Sequence, residues 1–288
     1  MSGQPGGVTK QKHFLWGQVV DFHTHLRDDI SRHTSIAMRS GIKTVVYMAN
    51  TPVPLDSVEA VRESLDQKAW IRAYPVAALT RGLAGKEPTD IEGLREWVVG
   101  FSDDGKCLID LGILEDVLKQ GVLVLAHLEP EVETLSRYLD VLAKVGGHLH
   151  FQHISKTESV KLLRKARKKL EFTCETCPQY FLFDGETEGL QVNPPLGSFD
   201  DVNEIERGLR DGTIDIIASD YAPLPRATGI AGFRGFLGTC FGLVLDGTLS
   251  EEQLRAKICD LPWGMIERFA GKKVKDAVDH SRRMSVLR

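Results

Sequence analysis

The sequence predicts a single α/β domain, a closed (β/α)8 barrel of the TIM type. Eight short β-branched or apolar runs recur along the 288 residues, and segments with helical periodicity and charged residues separate most of them. A repeated strand-then-helix order implies parallel strands joined by right-handed crossovers. Eight such units favour a closed barrel over an open sheet, and a chain of this length can form one domain.

The eight predicted strands are short runs rich in Val, Ile and Leu, at 18–20, 44–48, 71–76, 97–101, 122–126, 149–152, 171–174 and 214–218. Between them, residues 57–68 carry apolar residues on one helical face, and 157–169 form a second helical pattern with Ser155 as its predicted N-cap. No glycine-rich phosphate fingerprint follows the first run, so an open doubly wound sheet lacks its usual signal.

Charge and hydropathy exclude several classes of partner. The 36 Lys and Arg residues are outnumbered by 40 Asp and Glu, which leaves no broad basic surface for a nucleic acid. The longest apolar runs have only the length of a strand, so no membrane-spanning segment is predicted. The N-terminal residues are polar and Gly-rich, unlike a secretory signal, and the sequence therefore predicts a cytoplasmic protein.

The cysteines are scattered along the chain: Cys107, Cys174, Cys177, Cys240 and Cys259. An odd number spread over a long chain argues against a disulfide framework, which is typical of short secreted domains. Cys174 and Cys177 form one Cys-x-x-Cys pair, without a second pair or a histidine pair at zinc-finger spacing. We interpret both as small apolar residues on a buried strand.

The chain divides into a flexible N-terminal tail (1–17), a barrel domain (18–270) and a C-terminal tail (271–288). No Pro/Gly/Ser-rich linker and no low-complexity stretch interrupts the interior of the sequence. The sequence leaves the oligomeric state open, and a homo-oligomer is compatible with it.

Side chains that bind metals follow five of the predicted strands. They are His23 and His25, Asp104 with Asp103 before it, His127, His153 and Asp220. The carboxyl ends of all strands in a (β/α)8 barrel face one mouth, so we expect these side chains to converge. Imidazoles and carboxylates gathered at one mouth are typical metal ligands, and the sequence therefore predicts a metal site there.

The number of these residues favours two metals. His23 and His25 have the period-2 spacing that places both imidazoles on the same side of a strand. Six ligands exceed the three or four of a single catalytic zinc, so we favour two ions with a bridging carboxylate, with one ion as the alternative. Asp220 suits general acid–base duty beside ligation. Five other histidines are interpreted as structural: His13, His33, His148, His150 and His280.

Six segments resemble the amidohydrolase superfamily and, within it, the dihydroorotases. They read DFHTHLR (21–27), MANT (48–51), ALTRGLAGKE (78–87), FSDDG (101–105), VNPPL (192–196) and DGTI leading to ASD (211–220). The resemblance covers most of the chain. It implies that the barrel is a zinc-dependent cyclic amide hydrolase that interconverts N-carbamoyl-L-aspartate and L-dihydroorotate, a step of de novo pyrimidine biosynthesis.

The resemblance also implies how the metal ligands are divided. One zinc would be held by His23, His25 and Asp220, and a second by His127 and His153. The bridging position resembles the subgroup that has an aspartate in place of a carboxylated lysine. Asp104 is the better match for this bridge, and Asp103 is the alternative.

Three residues resemble the substrate-binding positions of the family. Arg27 and Asn50 match the clamp on the substrate carboxylate, and Asn193 would contact the pyrimidine ring or its amide. An arginine two residues beyond the metal ligands can hold a planar carboxylate with two parallel hydrogen bonds.

The sequence departs from the family pattern at three places. Tyr221 and Leu224 stand where the family has histidines, the second of which normally helps to hold the substrate carboxylate. The loop over 223–232 looks shorter than the lid-bearing loop of the family. Only about 18 residues precede the first strand, so we expect the accessory β-sandwich to be largely absent.

Two alternative functions stay open. The chain could be a catalytically weak dihydroorotase-like subunit that supports, or needs, a partner such as aspartate transcarbamoylase. It could also be another cyclic amidase, of the hydantoinase or allantoinase type. Arg27 argues against this second alternative, because those substrates have no ring carboxylate.

Overall fold

The structure, a computed structural model, describes residues 18–106, 108, 110–223 and 232–286, the last six of these by their backbone alone. The predicted N-terminal tail (1–17), with its His13, lies outside the described residues. So do Cys107 and Leu224, and with Leu224 most of the loop over 223–232.

Seven parallel strands form two sheets. The first has the order β1 (Val20–Thr24), β2 (Thr44–Tyr47), β3 (Arg72–Pro75). The second has the order β4 (Leu123–Ala126), β5 (His148–Phe151), β6 (Thr173–Thr176), β7 (Ile216–Ile217). Each strand coincides with or adjoins one of the predicted runs, and nearly all of their residues are buried, as in parallel sheets covered on both faces.

Short bridges connect the two sheets. Phe101 pairs in parallel with Ala77 on one side and with Val124 on the other, and Thr24 pairs with Tyr221. The predicted strand at 97–101 is therefore reduced to a bridge around Phe101, because its first residue belongs to a 3₁₀ turn. The fold is an α/β arrangement of parallel sheets, in agreement with the predicted class.

Helices follow most of the strands. Their bounds are α1 (Ile30–Arg39), α2 (Val58–Leu65), α3 (Ile91–Leu94), α4 (Leu111–Leu118), α5 (Glu131–Val145), α6 (Thr157–Ala166), α7 (Pro178–Leu182), α8 (Phe199–Asp211), α9 (Phe233–Leu245), α10 (Glu251–Arg255), α11 (Leu261–Phe269) and α12 (Lys272–Val286). Two 3₁₀ turns lie at Arg81–Leu83 and Arg95–Trp97, and a π-helical turn lies at Ala256–Asp260.

Side-chain caps explain where several helices begin. The carboxylate of Asp29 accepts from the backbone N–H of Arg32 at the start of α1, and Ser57 caps α2 in the same way. The predicted cap of α6 is wrong. Lys156 stands at the cap position, and the hydroxyl of Ser155 instead donates to the buried carboxylate of Glu131 at 2.5 Å.

Within the described residues, the core has two large parts and a small separate cluster of Cys177, Tyr180 and Val192. An outer part lies between the strands and the helices, and an inner part includes the strand residues Val20 and Phe22. Residues 272–286 of the segment expected to be a C-terminal tail (271–288) form helix α12. Its Val274 and Val278 are buried in the inner part of the core, so the packed structure extends beyond residue 270.

No helix within the described ranges is both long enough and apolar enough to cross a membrane. The cytoplasmic location stays a prediction. The absence of an accessory β-sandwich also stays a prediction, and every strand named in the described ranges belongs to the two parallel sheets.

Candidate metal centre

The six predicted metal ligands lie together at the carboxyl ends of the strands. They form a first ligand group (His23, His25, Asp220) and a second ligand group (Asp104, His127, His153). Within each group, one potential ligand atom from each residue lies within 4.8 Å of the others. The residues come from the carboxyl ends of four strands and from the segment after the Phe101 bridge, so the topology brings these distant parts of the sequence to one place, as predicted.

The first ligand group is built on β1 and the end of β7. Nε2 of His25 lies 3.1 Å from Oδ1 of Asp220, and Nε2 of His23 lies 3.7 Å from the same oxygen. The two imidazole centroids are 5.2 Å apart. The period-2 spacing of the two histidines therefore directs both rings toward one point, as predicted.

The second ligand group is held by the ends of β4 and β5. Nδ1 of His127 lies 2.8 Å from Nε2 of His153, and it lies 3.8 Å from Oδ1 of Asp104. All three side chains are buried. An ion at this group would face Nδ1 of His127 and Nε2 of His153.

Asp104 lies between the two groups. Its Oδ1 is 3.3 Å from Nε2 of His23, and its Oδ2 is 3.4 Å from Nε2 of His25. This Oδ1 atom is buried without a hydrogen-bond partner. Because a buried carboxylate oxygen without a partner is costly, the position suits a bridge between two cations.

Asp103, the alternative bridge, is engaged elsewhere. Its Oδ1 accepts from the backbone N–H groups of Leu79 and Thr80, at 3.0 and 2.9 Å. Its Oδ2 accepts from the hydroxyl of Thr80. Asp103 therefore holds the loop after β3, and the geometry favours Asp104 as the bridge.

The nitrogens that face away from the cluster have partners that the sequence analysis did not identify. Nδ1 of His23 lies 2.6 Å from Oε1 of Glu175, and Nδ1 of His25 lies 2.8 Å from Oδ1 of Asn50. Asn50 also donates from Nδ2 to Oδ2 of Asp104, at 3.2 Å. Its amide thus orients two metal ligands, besides lining the cavity described below. In the sequence, Glu175 could have been noticed only as a single acidic residue between Cys174 and Cys177.

Interactions between charges shift the pKa values of several of these groups. Burial by itself lowers the pKa of His23, but Glu175, Asp104 and Asp220 outweigh burial and raise this pKa well above its ordinary value. Burial by itself raises the pKa of Asp104, but His25 and His23 hold it well below its usual range. The carboxylates therefore make the cluster an anionic site, which stabilises a positive charge at or near its histidines.

The pKa values of His153 and Glu175 are both lowered, for different reasons. Burial and the neighbouring His127 lower the pKa of His153 to about 3, so its ring is neutral and keeps a lone pair for a cation. Burial raises the pKa of Glu175, but His23 and His150 outweigh it and lower the pKa to about 2. Glu175 therefore carries a negative charge in the interior.

The backbone is strained at three site residues. Arg27, His153 and Asp220 have positive φ angles of 53°, 36° and 48°, which residues with a Cβ adopt only where the surroundings enforce them. The strand residue Asp21 accepts from the backbone N–H of Ser219 at 2.9 Å and from its hydroxyl at 2.5 Å. This contact anchors the residue directly before Asp220.

A cavity of about 390 Å³ opens above the ligands. Arg27, Asn50 and Asn193, the three predicted substrate residues, all line it. Nη1 of Arg27 donates to the backbone carbonyl of Asn50 at 3.0 Å, while its Nε is buried without a hydrogen-bond partner. The guanidinium is thus fixed at one end by the backbone of Asn50.

Tyr221 does not replace the histidine of the family pattern. Its ring stacks on Phe233 with centroids 3.7 Å apart, and its hydroxyl pairs with Nδ1 of His33 at 2.8 Å. It is absent from the residues that line the cavity. Cys174 and Cys177 are buried free thiols, in agreement with their predicted packing role.

The residues present fit divalent cations. Four imidazoles and two carboxylates converge, Oδ1 of Asp104 lacks any other partner, and the outward nitrogens of His23 and His25 contact polar oxygens. Outward partners of this kind are typical of histidines that bind metals. Two ions sharing Asp104 would use every member of the set.

The curated proteins that the chain resembles in sequence are named dihydroorotases. The chain is 31% identical to the dihydroorotase of Acetivibrio thermocellus, in a match that covers 85% of this chain and 71% of the relative. It is 34% identical to the dihydroorotase of Staphylococcus epidermidis, over 71% of this chain and 59% of that protein. No protein-family model matches the chain.

Solved structures share the fold. The L-hydantoinase of Arthrobacter aurescens superposes with a TM-score of 0.78 at 20% identity, over 87% of this chain and 71% of that one. An inactive dihydroorotase-like domain of a CAD-like multifunctional protein from Chaetomium thermophilum has a TM-score of 0.69 at 14% identity, over 87% and 79%. The identity and coverage of the curated relatives show that the chain belongs to the dihydroorotase family of the amidohydrolase superfamily.

Proposed function

We propose that this chain is a dihydroorotase that uses a pair of zinc ions to cyclise N-carbamoyl-L-aspartate reversibly to L-dihydroorotate, in de novo pyrimidine biosynthesis. Membership of the family supports a cyclic amide hydrolase. The observation that carries the proposal is the convergence of both ligand groups on Asp104, at the floor of a cavity that Arg27 lines.

The first ligand group would hold one zinc and the second ligand group the other, with Asp104 between them. Imidazole and carboxylate donors suit Zn²⁺, and they also accept Co²⁺ or Mn²⁺. When bound, such a pair supplies a water activated near neutral pH and a polarised carbonyl.

The remaining steps fall to the side chains of this chain. In the hydrolytic direction, a water oxygen bonds to the ring amide carbon, and the carbon–nitrogen bond of the ring breaks. Asp220 takes the proton from the attacking water and returns it to the leaving nitrogen. Its carboxylate suits this role because it lies beside His25 at the cavity floor and is partly exposed. The cyclisation follows the same steps in reverse.

Arg27 would bind the ring carboxylate, and Asn193 would contact the ring amide. Both line the cavity, and a guanidinium matches the planar geometry of a carboxylate. The carboxylate distinguishes dihydroorotate from hydantoins, so this arginine favours dihydroorotate over the hydantoinase alternative.

We further propose that the two sheets close into one (β/α)8 barrel, which forms the hydrolase domain over 18–270 with helix α12 packed against it. The bridges of Phe101 and Thr24 join the sheets on both sides and support this closure. In that arrangement all the ligands stand at the carboxyl-terminal mouth, where (β/α)8 enzymes bind their substrates.

A catalytically weak subunit is the second candidate function. It is favoured by Tyr221, whose ring packs away from the cavity and therefore does not replace the histidine that the family pattern has at this position. In that case a partner such as aspartate transcarbamoylase would support the activity or be supported by the chain.

The test compares substrates and partner in one assay. The purified, zinc-loaded chain is assayed for ring opening of dihydroorotate and of hydantoin, with and without aspartate transcarbamoylase. We expect dihydroorotate to be turned over by the chain alone and faster than hydantoin. Turnover only with the partner would establish the second candidate, and preference for hydantoin would contradict the proposed substrate.

A further inference from the structure

A buried carboxylate beneath the first ligand group has no part in the mechanism above. Glu175 lies on β6 and is completely inaccessible to solvent. Each of its oxygens faces one imidazole, because Oε1 lies 2.6 Å from Nδ1 of His23 and Oε2 lies 3.1 Å from Nε2 of His150. An ionised carboxylate only accepts hydrogen bonds, so both rings donate an N–H to it.

These contacts fix the protons of both rings. With its Nδ1–H directed at Glu175, a neutral His23 presents the lone pair of Nε2 to the ligand cluster. With its Nε2–H directed at Glu175, His150 accepts on Nδ1 from the hydroxyl of Thr173, at 2.8 Å. Thr173, His150, Glu175 and His23 thus form a chain of hydrogen bonds. In this chain each ring nitrogen of the two histidines is either protonated or carries a lone pair, as stated above.

We infer that Glu175, supported by His150, is a positioning residue that sets the tautomer and orientation of His23 and strengthens cation binding at the first ligand group. This inference rests on the metal centre of the proposed function. A carboxylate buried among neutral groups is costly, and a divalent cation on the far side of His23 compensates its charge. The carboxylate of Glu175 in turn makes Nε2 of His23 a stronger electron-pair donor toward a cation.

Among the residues that the structure describes, none gives the second ligand group an equivalent support. Nδ1 of His153 is buried without a hydrogen-bond partner, and Nε2 of His127 lies 3.5 Å from the carboxylate of Glu129, which is largely exposed. The effect of Glu175 is therefore confined to one of the two ion sites. This selectivity separates a positioning role from a general contribution to folding.

The experiment measures cobalt binding to the full chain. Wild type, Glu175→Gln and Glu204→Gln are titrated with Co²⁺ against a competing chelator, and the visible absorption of the bound cobalt is recorded. Glu204 is a matched control, because it is also buried and accepts from two cations, Arg164 and Arg207, both at 2.7 Å. It has no contact with the ligand groups.

We expect Glu175→Gln to bind one ion as wild type does and the other roughly 10- to 100-fold more weakly, with an altered cobalt spectrum. Excess metal should restore both occupancy and turnover. The control should keep the affinities and spectrum of wild type. Wild-type affinities and spectrum in Glu175→Gln would overturn the inference, whereas failure of the wild-type chain to bind cobalt would overturn the proposed metal centre instead.

A second pair of variants covers the case in which Glu175→Gln does not fold. His150→Leu removes the donor to Oε2 of Glu175, while His150→Gln keeps an amide N–H that can reach it. We expect the leucine variant to weaken the same ion site several-fold more than the glutamine variant. Equal affinities in both variants and in wild type would contradict the positioning role.

Discussion

Nε2 of His25 lies 3.1 Å from Oδ1 of Asp220, although 195 positions of sequence separate the two residues. Such a contact follows from the topology, because the first and last strands are neighbours and their carboxyl ends face the same side. It places a carboxylate that can move protons directly beside a metal ligand.

Replacing the proposed proton carrier should stop turnover while metal stays bound. In Asp220→Asn the amide cannot accept and return a proton, so we expect kcat for dihydroorotate hydrolysis to fall by roughly 10²- to 10⁴-fold. Asp116→Asn, on the exposed surface of α4, serves as the control. A near-normal rate in Asp220→Asn, with metal content unchanged, would remove the role assigned to Asp220.

Acid should weaken zinc binding. Neighbouring carboxylates outweigh burial and hold the pKa of His23 above its ordinary value, so protons compete with a cation for this ring at a higher pH than for an ordinary histidine. Affinity should therefore fall as the pH is lowered, and zinc binding should release protons. Chelator competition across a pH series measures the slope. An affinity independent of pH would contradict this prediction.

Loss of the guanidinium should affect substrate binding more than chemistry. Arg27→Met removes a charged hydrogen bond to the ring carboxylate, worth about 1.5–3 kcal/mol, so we expect KM for dihydroorotate to rise by about 10- to 100-fold. Arg39→Met, at the exposed end of α1, should leave KM unchanged. Steady-state kinetics of wild type, Arg27→Met and Arg39→Met measure these KM values. An unaltered KM in Arg27→Met would show that the substrate carboxylate binds elsewhere.

One glycine joins the C-terminal helix to the rest of the core. A Cβ on Gly271 would clash with the backbone of Glu96, and its N–H donates to the carbonyl of Val98 at 3.2 Å. Gly271→Ala should therefore lower the free energy of unfolding by roughly 1–3 kcal/mol. Gly264→Ala, in α11, meets no atom within 4 Å and should stabilise the helix by roughly 0.5–1 kcal/mol. Urea unfolding compares them, and equal stabilities would contradict the tight junction.

The site residues that could be predicted from the sequence are those at the ends of strands. His127 and His153 each follow a short apolar run, and a parallel topology gives such positions one common destination. Glu175 was not predicted, because it lies inside a strand and its partners are remote. Its two imidazole partners, His23 and His150, lie 152 and 25 positions away. Only the assembled fold shows why a charged residue is tolerated there.

His150 was interpreted as structural because it lies an odd number of residues from His153, and on a regular strand the two side chains would then point to opposite faces. Leu149 and Phe151 belong to the outer part of the core, so His150 between them points inward, toward Glu175. Regular alternation would then direct His153 outward, but its positive φ of 36° turns it back to the cluster. Backbone strain of this kind leaves no signature in the sequence, and because of it both His150 and His153 point inward, whereas only His153 was expected to.

Helix α12 was overlooked for a different reason. Val274 and Val278 have the spacing of one helical face, but the segment around them is so polar that we expected a tail. Packing of these two residues against the inner part of the core decides its structure. Tertiary contacts thus outweigh local composition at this end of the chain.

The most direct test of the account is the rate of dihydroorotate ring opening by the purified chain, measured as zinc is added back to the metal-free protein. Two ions that share Asp104 predict a rate that rises with zinc and reaches its plateau at about two ions per chain. A rate that does not depend on zinc, or the absence of turnover at every zinc content, would contradict it.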